Sequence, residues 1–138
     1  MKYNLYGVVV LVALCLLKEK AIENFKTAEW AEKKRYFDAA VSRYYYCAYE
    51  KVIYISKKKG FYIKPAQKED SHKKSIERFV QHVNGLSDEE ILILLKMKKL
   101  RRMRNNSDYN VCKLDQNGFM LGFKFHFNGI IKIIDKLL

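Results

Sequence analysis

Proline occurs once in the 138 residues, at position 65, and glycine only six times. Folds made of many short strands and turns use more of both, so the long uninterrupted stretches read as helices. Cysteine is scarce too. Cys15, Cys47 and Cys112 are odd in number, widely spaced and set among apolar or aromatic neighbours. That pattern predicts buried free thiols in a reducing compartment and no disulfide framework. His72, His82 and His126 show no paired spacing, so neither a metal nor another cofactor is expected. No glycine-rich phosphate loop and no Gly-x-Ser-x-Gly elbow occurs, which sets aside Walker-type hydrolysis, dinucleotide chemistry and α/β-hydrolase catalysis. Glu89-Glu90 has no second carboxylate pair to serve as a glycosidase centre.

Negative charge is the other shortage. Fifteen Asp and Glu face 27 Lys and Arg, a net charge of +12. Such an excess favours polyanionic partners: nucleic acid, nucleotides or an anionic membrane surface. Long apolar runs are rare as well. The one without any charge is Leu5 to Leu17, shorter than the roughly 20 residues needed to span a bilayer. Lys18-Glu19-Lys20 follows directly, with no small-residue cleavage site. The run is expected to be an apolar helix packed on a neighbouring helix or a partner, with membrane association the weaker reading, in a cytoplasmic protein.

What the chain has in abundance is helical periodicity. Leu14, Leu17, Ala21, Phe25 and Ala28 step by three or four residues, predicting a first helix to about Lys34. Lys33-Lys34-Arg35-Tyr36 reads as the tight turn of a helical hairpin. A second helix is predicted from Phe37 to Ser56, with Phe37, Ala40, Val41, Tyr44, Ala48, Val52 and Ile55 inward. Lys57-Lys58-Lys59-Gly60 closes it, and Phe61 to Lys68 forms the longest irregular connection. Asp70 or Ser71 caps a third helix with Ile76, Phe79, Val80 and Val83 inside. Ser87-Asp88-Glu89-Glu90 is a capping box opening a fourth, whose stripe is Ile91, Leu94, Leu95 and Leu100. Ile130, Ile131, Ile133, Ile134 and Leu137 mark a closing helix. Phe119, Phe123, Phe125 and Phe127 partly alternate, leaving a short extended stretch open. The expectation is one all-α domain over residues 1–138, an antiparallel bundle of four to five helices.

Two segments carry chemistry. Arg101-Arg102-Met103-Arg104-Asn105-Asn106-Ser107-Asp108-Tyr109 puts three arginines within four residues, followed by amide, hydroxyl and carboxylate groups. Guanidinium forks suit phosphate because their charge does not titrate and their donors are rigidly placed. RNA carries its own nucleophile, the 2′-hydroxyl, so arginine and a proton carrier can cleave it without metal. Asp108 stands four residues after Arg104, so a structural ion pair competes with that role. The second segment, Ser42 to Tyr49, packs four tyrosines and Arg43 into one helix. Arg43 lies one residue from the buried stripe, where an arginine needs a carboxylate or phosphate.

Ser42-Arg43-x-Tyr45-Tyr46-Cys47-Ala48-Tyr49, then Ser71-His72 with Phe79, then Arg104-Asn105-x-Ser107-Asp108-Tyr109 resemble the signatures of HEPN domains ("higher eukaryotes and prokaryotes nucleotide-binding"). The resemblance is to small stand-alone prokaryotic members with Ser-Arg-x-Tyr-Tyr and Arg-x-x-Ala-Asp-Tyr segments. It covers about Leu17 to Leu138 and leaves residues 1–16 outside as an apolar extension. It implies a HEPN-like bundle that dimerises with the arginine segments of two protomers facing. It also implies a metal-independent endoribonuclease of toxin–antitoxin or phage-defence type, with a cognate toxin or antitoxin as a partner. Arg104 and Asn105 match the start of the catalytic pattern, but Tyr109 stands where those enzymes commonly have histidine. A phenol is a poor base at neutral pH, which makes His72 the alternative proton carrier.

The candidate catalytic residues are therefore Arg104, Asn105, Asp108, Tyr109 and His72. Arg43, Tyr45, Tyr46, Arg101 and Arg102 are the candidates for holding RNA or nucleotide phosphate. Two other functions stand beside the ribonuclease, the first on Arg43 and Arg104 and the second on Leu5 to Leu17 with the positive charge. One is a non-catalytic nucleotide- or RNA-binding module, or the antitoxin of a nucleotidyltransferase-like protein. The other is a membrane-peripheral structural protein.

Overall fold

A computed structural model describes residues 5–109 and 113–138. Among them every regular element is helical. The elements are α1 (Leu5–Lys33), α2 (Phe37–Lys58), α3 (Ser71–His82), α4 (Asp88–Leu94), α5 (Met97–Tyr109) and α6 (Phe125–Leu137). A π-helical segment, Gly118–Lys124, runs directly into α6. Counting the bent pair α4–α5 as one rod and the π segment with α6 as another gives a five-rod bundle.

The α1–α2 hairpin turns as its composition predicts. Arg35 takes the left-handed conformation, φ 62°, and the Tyr36 N–H reaches back to the Ala31 carbonyl at 2.8 Å. The inward stripe of α2 is fully realised, with Phe37, Ala40, Val41, Tyr44, Ala48, Val52 and Ile55 all buried. This helix is the axis of the bundle and packs against α1, α3, α5 and α6. Gly60, φ +83°, ends the helix region. Asp70 caps α3 by accepting the Lys73 N–H at 3.1 Å. Ser87 and Glu90 form the reciprocal capping box of α4.

Two expectations need correction, and one open alternative closes. The single fourth helix is two, because the chain tightens at Leu95 and Lys96: the Lys96 and Lys98 N–H groups bond three residues back, to Ile93 and Leu95. That shift of phase turns Leu95 outward and puts Met97 in the core beside Leu94 and Leu100. The phenylalanine run is not extended. Phe119, Phe123 and Phe127 follow one another at four-residue steps on the buried side of the helix, whereas Phe125 is exposed. Of the thiols, Cys47 is buried but Cys15 is exposed; Cys112 lies outside the described residues.

A polar knot ties three elements together inside this apolar frame. The Tyr44 hydroxyl donates to Glu32 Oε1 at 2.8 Å, and Lys124 Nζ donates to the same oxygen at 2.7 Å and to the phenol at 2.6 Å. Burial alone would raise the Glu32 pKa, but hydrogen bonds from Lys124 and Tyr44 outweigh it and hold the carboxyl below its usual value. Each member thus has a partner, which offsets the cost of taking these charges partly out of water.

The first half of α1 behaves differently. Ala21, Ala28 and Ala31 are buried against the bundle, but Leu5, Val8, Val9, Leu11, Val12 and Leu16 are each about half exposed or more. Among the described residues, one side of this stretch (Val10, Ala13 and Leu14) lines a groove with Lys57, Gly60 and Tyr62, and the others face outward. Among the described residues no helix is long and apolar enough to cross a membrane.

Candidate nucleic-acid interface

The tyrosine segment of α2, the start of α3 and the arginine segment of α5 converge. α2 packs on both of the others, and α3 touches α5, so residues some sixty apart in sequence share one face. Arg104 is the centre. Its guanidinium carbon lies 5.2 Å from the ring centroid of Tyr45 and 5.3 Å from that of Tyr46, which is cation–π distance for both. Its Nη1 is 3.6 Å from Asp108 Oδ2, the i,i+4 pair, and the side chain is only 11% exposed. Nε is shielded from solvent with no hydrogen-bond partner. A cation this enclosed, held by one loose ion pair, is under-satisfied and favours a further anion.

One helical turn earlier, Arg101 pairs through Nη2 with Asp70, the cap of α3. Its Nε is likewise buried and unpartnered. Burial would raise the Asp70 pKa, but the Lys73 amide and Arg101 overcome that and lower it.

His72, in the first turn of α3, completes the group. Its ring stacks on Tyr49 with centroids 4.0 Å apart, and on Tyr45 at 5.8 Å. The Tyr45 hydroxyl lies 2.9 Å from His72 Nδ1. Tyr45 is fully buried, and its pKa is driven up by that burial against the opposing pull of Arg104, so the phenol keeps its proton. Nδ1 is its hydrogen-bond partner, and a buried hydroxyl proton requires an acceptor. The bond is therefore assigned as O–H donating to Nδ1, which leaves the ring hydrogen on Nε2. Burial lowers the His72 pKa, and the positive charges of Arg104 and Arg101 lower it further against Asp70. The imidazole is thus neutral at neutral pH, and Nε2–H is a donor.

The structure brings together Tyr45, Tyr46, His72, Arg101, Arg104 and Asp108. It does not bring the rest. Arg43 is exposed on α2 and donates to Asn24 Oδ1 of α1 at 3.3 Å; being in solvent, it has no need of the buried phosphate or carboxylate expected for it. Arg102 is exposed and lines a shallow groove with Leu92, Leu95, Lys98 and Lys99, one residue and so about 100° around α5 from Arg101. Tyr109 is 81% exposed, and Asn105 is half-buried beside Arg104 in α5. Tyr49 and Asp70 belong to the cluster but read in sequence as a packing residue and a cap. Their signal was position: Tyr49 is one turn after Tyr45, and Asp70 sits two residues before His72. A cleft between α4 and α6, lined by Leu92, Ile93, Phe125 and Gly129, contains none of these groups. Among the described residues no three His, Cys, Asp or Glu side chains converge to hold a metal.

No family model matches this chain, and no curated protein or solved structure shows significant similarity to it.

Proposed function

We propose that this chain is a HEPN-type RNA-binding protein that grips the phosphodiester backbone through Arg104 and its neighbours. The observation that carries the reading is the enclosed Arg104 guanidinium, within cation–π distance of Tyr45 and Tyr46 beside a neutral imidazole. Arg104 and Arg101 supply charge, the Nε2–H of His72 supplies a directional donor, and the +12 net charge draws the polyanion in. Binding of this kind needs no metal and no cofactor. A homodimer that opposes two Arg104 segments, as the resemblance implies, would double the positive field of one groove. A cognate toxin or antitoxin with an acidic surface is the matching protein partner.

The second reading is metal-independent cleavage. It is favoured by the same neutral imidazole lying in the field of two guanidinium groups. In that reaction the 2′-oxygen bonds to phosphorus, the 5′-oxygen departs with a proton, and a 2′,3′-cyclic phosphate remains. Arg104 would stabilise the phosphorane. The hydrogen bond from Tyr45 to Nδ1 leaves His72 without a free lone pair to take up the 2′-proton, which is why binding is preferred.

One experiment separates the two. Single-stranded RNA is incubated with the protein and a chelator, and both anisotropy and product ends are followed. Binding with intact RNA, lost in Arg104→Ala, supports the binding module. Cyclic-phosphate ends that vanish in Arg104→Ala establish the nuclease instead. RNA that is neither bound nor cut overturns both.

A further inference from the structure

From the first turns of α1 we infer that Leu5–Leu17 inserts into one leaflet of an anionic membrane, a property separate from the RNA-binding reading. Val8, Val9, Val10, Leu11 and Val12 are consecutive and all exposed, between 39% and 65%. Successive residues of a helix turn by about 100°, so five of them present apolar surface on every side. A protein partner covers one stripe of a helix. Lipid surrounds it.

The location fits. Lys18 of α1 and Lys58 at the end of α2 both lie over the Tyr54 ring, at 5.0 and 5.7 Å. Tyr54 is thus level with the fourth turn of α1, and the end of α2 with Tyr62 reaches one side of the apolar turns before it. Their base carries exposed cations: Lys18, Lys20, Lys57, Lys58 and Lys59. Lys57 lies 5.0 Å over Tyr62, which shares a shallow groove with Tyr6, Val10 and Leu14. Within residues 5–22 and 51–64, Glu19 is the one acidic side chain. An apolar rod rising from a ring of lysines matches acyl chains beneath anionic headgroups. A second copy docked in parallel on the same rod would bring a second ring of lysines against the first.

The depth is limited by length. Thirteen residues extend about 20 Å, against a hydrocarbon core of about 30 Å, so the rod enters one leaflet and does not cross. The sequence alone favoured packing on a neighbouring helix or a partner; among the described residues the bundle covers one side of this stretch and leaves Val8, Val9, Leu11 and Val12 open.

Flotation of the full chain with vesicles tests the inference. The protein is expected to float with phosphatidylcholine–phosphatidylglycerol vesicles and far less with phosphatidylcholine alone. Val9→Asp with Val12→Asp, both at exposed positions, should reduce flotation at least about tenfold with an unchanged circular dichroism spectrum. Lys57→Glu with Lys58→Glu should reduce it selectively for the anionic vesicles. Arg104→Ala should leave it intact, separating it from RNA binding. No flotation with either vesicle, or flotation indifferent to the aspartates, overturns the proposal. A dimer in sedimentation that the aspartates dissociate, without vesicle binding, also overturns it and assigns the surface to a second copy.

Discussion

The imidazole of His72 lies parallel to the phenol of Tyr49, centroids 4.0 Å apart and planes 7° from coplanar directions. This stack fixes the ring edge-on to Tyr46 and keeps it out of water on one side, while Arg101 and Arg104 oppose its protonation. The unfolded chain protonates His72 near pH 6.5 and the folded chain only lower. Its contribution to stability is therefore complete above about pH 6.5 and lost as pH falls toward the folded value. His126, lowered by burial and by Lys99 and Lys96, adds a term of the same sign. Urea midpoints compared at about pH 7.5 and about pH 5.5 should fall with acid, and less steeply in His72→Gln. An unchanged slope in that variant would show that His72 titrates normally.

Arg104 is held by shape as well as charge. A lysine keeps the charge but lacks the rigid fork that can face Tyr45, Tyr46 and Asp108 while offering donors to phosphate. Arg104→Lys should therefore recover only part of the RNA affinity lost in Arg104→Ala, a loss of about 1–3 kcal/mol. The salt dependence of binding should drop by about one counterion in Arg104→Ala. Arg43→Ala, on another face, should weaken binding less. Anisotropy titrations over a salt series measure all three, and equal losses at Arg43 and Arg104 would contradict a site centred on Arg104.

Phe123 and Phe125 are two residues apart and opposite in environment, the first fully buried and the second 69% exposed. Phe123→Ala opens a cavity between Phe119, Phe127 and Tyr44 and should cost about 3–5 kcal/mol. Phe125→Ala should stay within about 0.5 kcal/mol. Denaturant unfolding distinguishes them. Comparable losses would mean that the segment alternates like a strand.

The left-handed backbone of Arg35 crowds its Cβ against the following carbonyl, and a β-branched residue would feel that more. Arg35→Val should destabilise by about 1–2 kcal/mol, and Arg35→Asn, which tolerates this conformation, should not. The Arg35 contact with the Phe37 ring, 5.6 Å, sets a small loss common to both. Thermal melts of the pair check the difference.

The α1–α2 hairpin was legible because a long 3.6-residue period flanks a short polar turn, and both caps, Asp70 and Ser87, are local signals. The break between α4 and α5 was not. Leu94, Leu95 and Leu100 offer one plausible stripe to a straight helix, and only the bonds at Lys96 and Lys98 move Leu95 out. The π segment was hidden for a related reason: alternation among four phenylalanines looks like a strand over so short a window. In the arginine cluster, Arg104 and its pairing with Asp108 followed from spacing. The exclusion of Arg43 and Arg102 did not, because which side of a helix meets a third helix is a tertiary fact. The meeting of His72 with Tyr45 is of the same kind.

The connection from α2 to α3 is clamped at both ends. Arg78 Nε donates to the Phe61 carbonyl at 2.6 Å, and Asp70 is tied to Arg101. Between those anchors, Ile63, Lys64 and residues 66–69 are exposed. Lengthening a loop whose ends are already fixed adds only a logarithmic entropy cost, about 0.6 kcal/mol per doubling. The strap is thus an insertion port: foreign peptide spliced near Ala66 should be carried without disturbing His72 or the arginines beyond it, giving a place to mount a reporter next to the cluster it would report on.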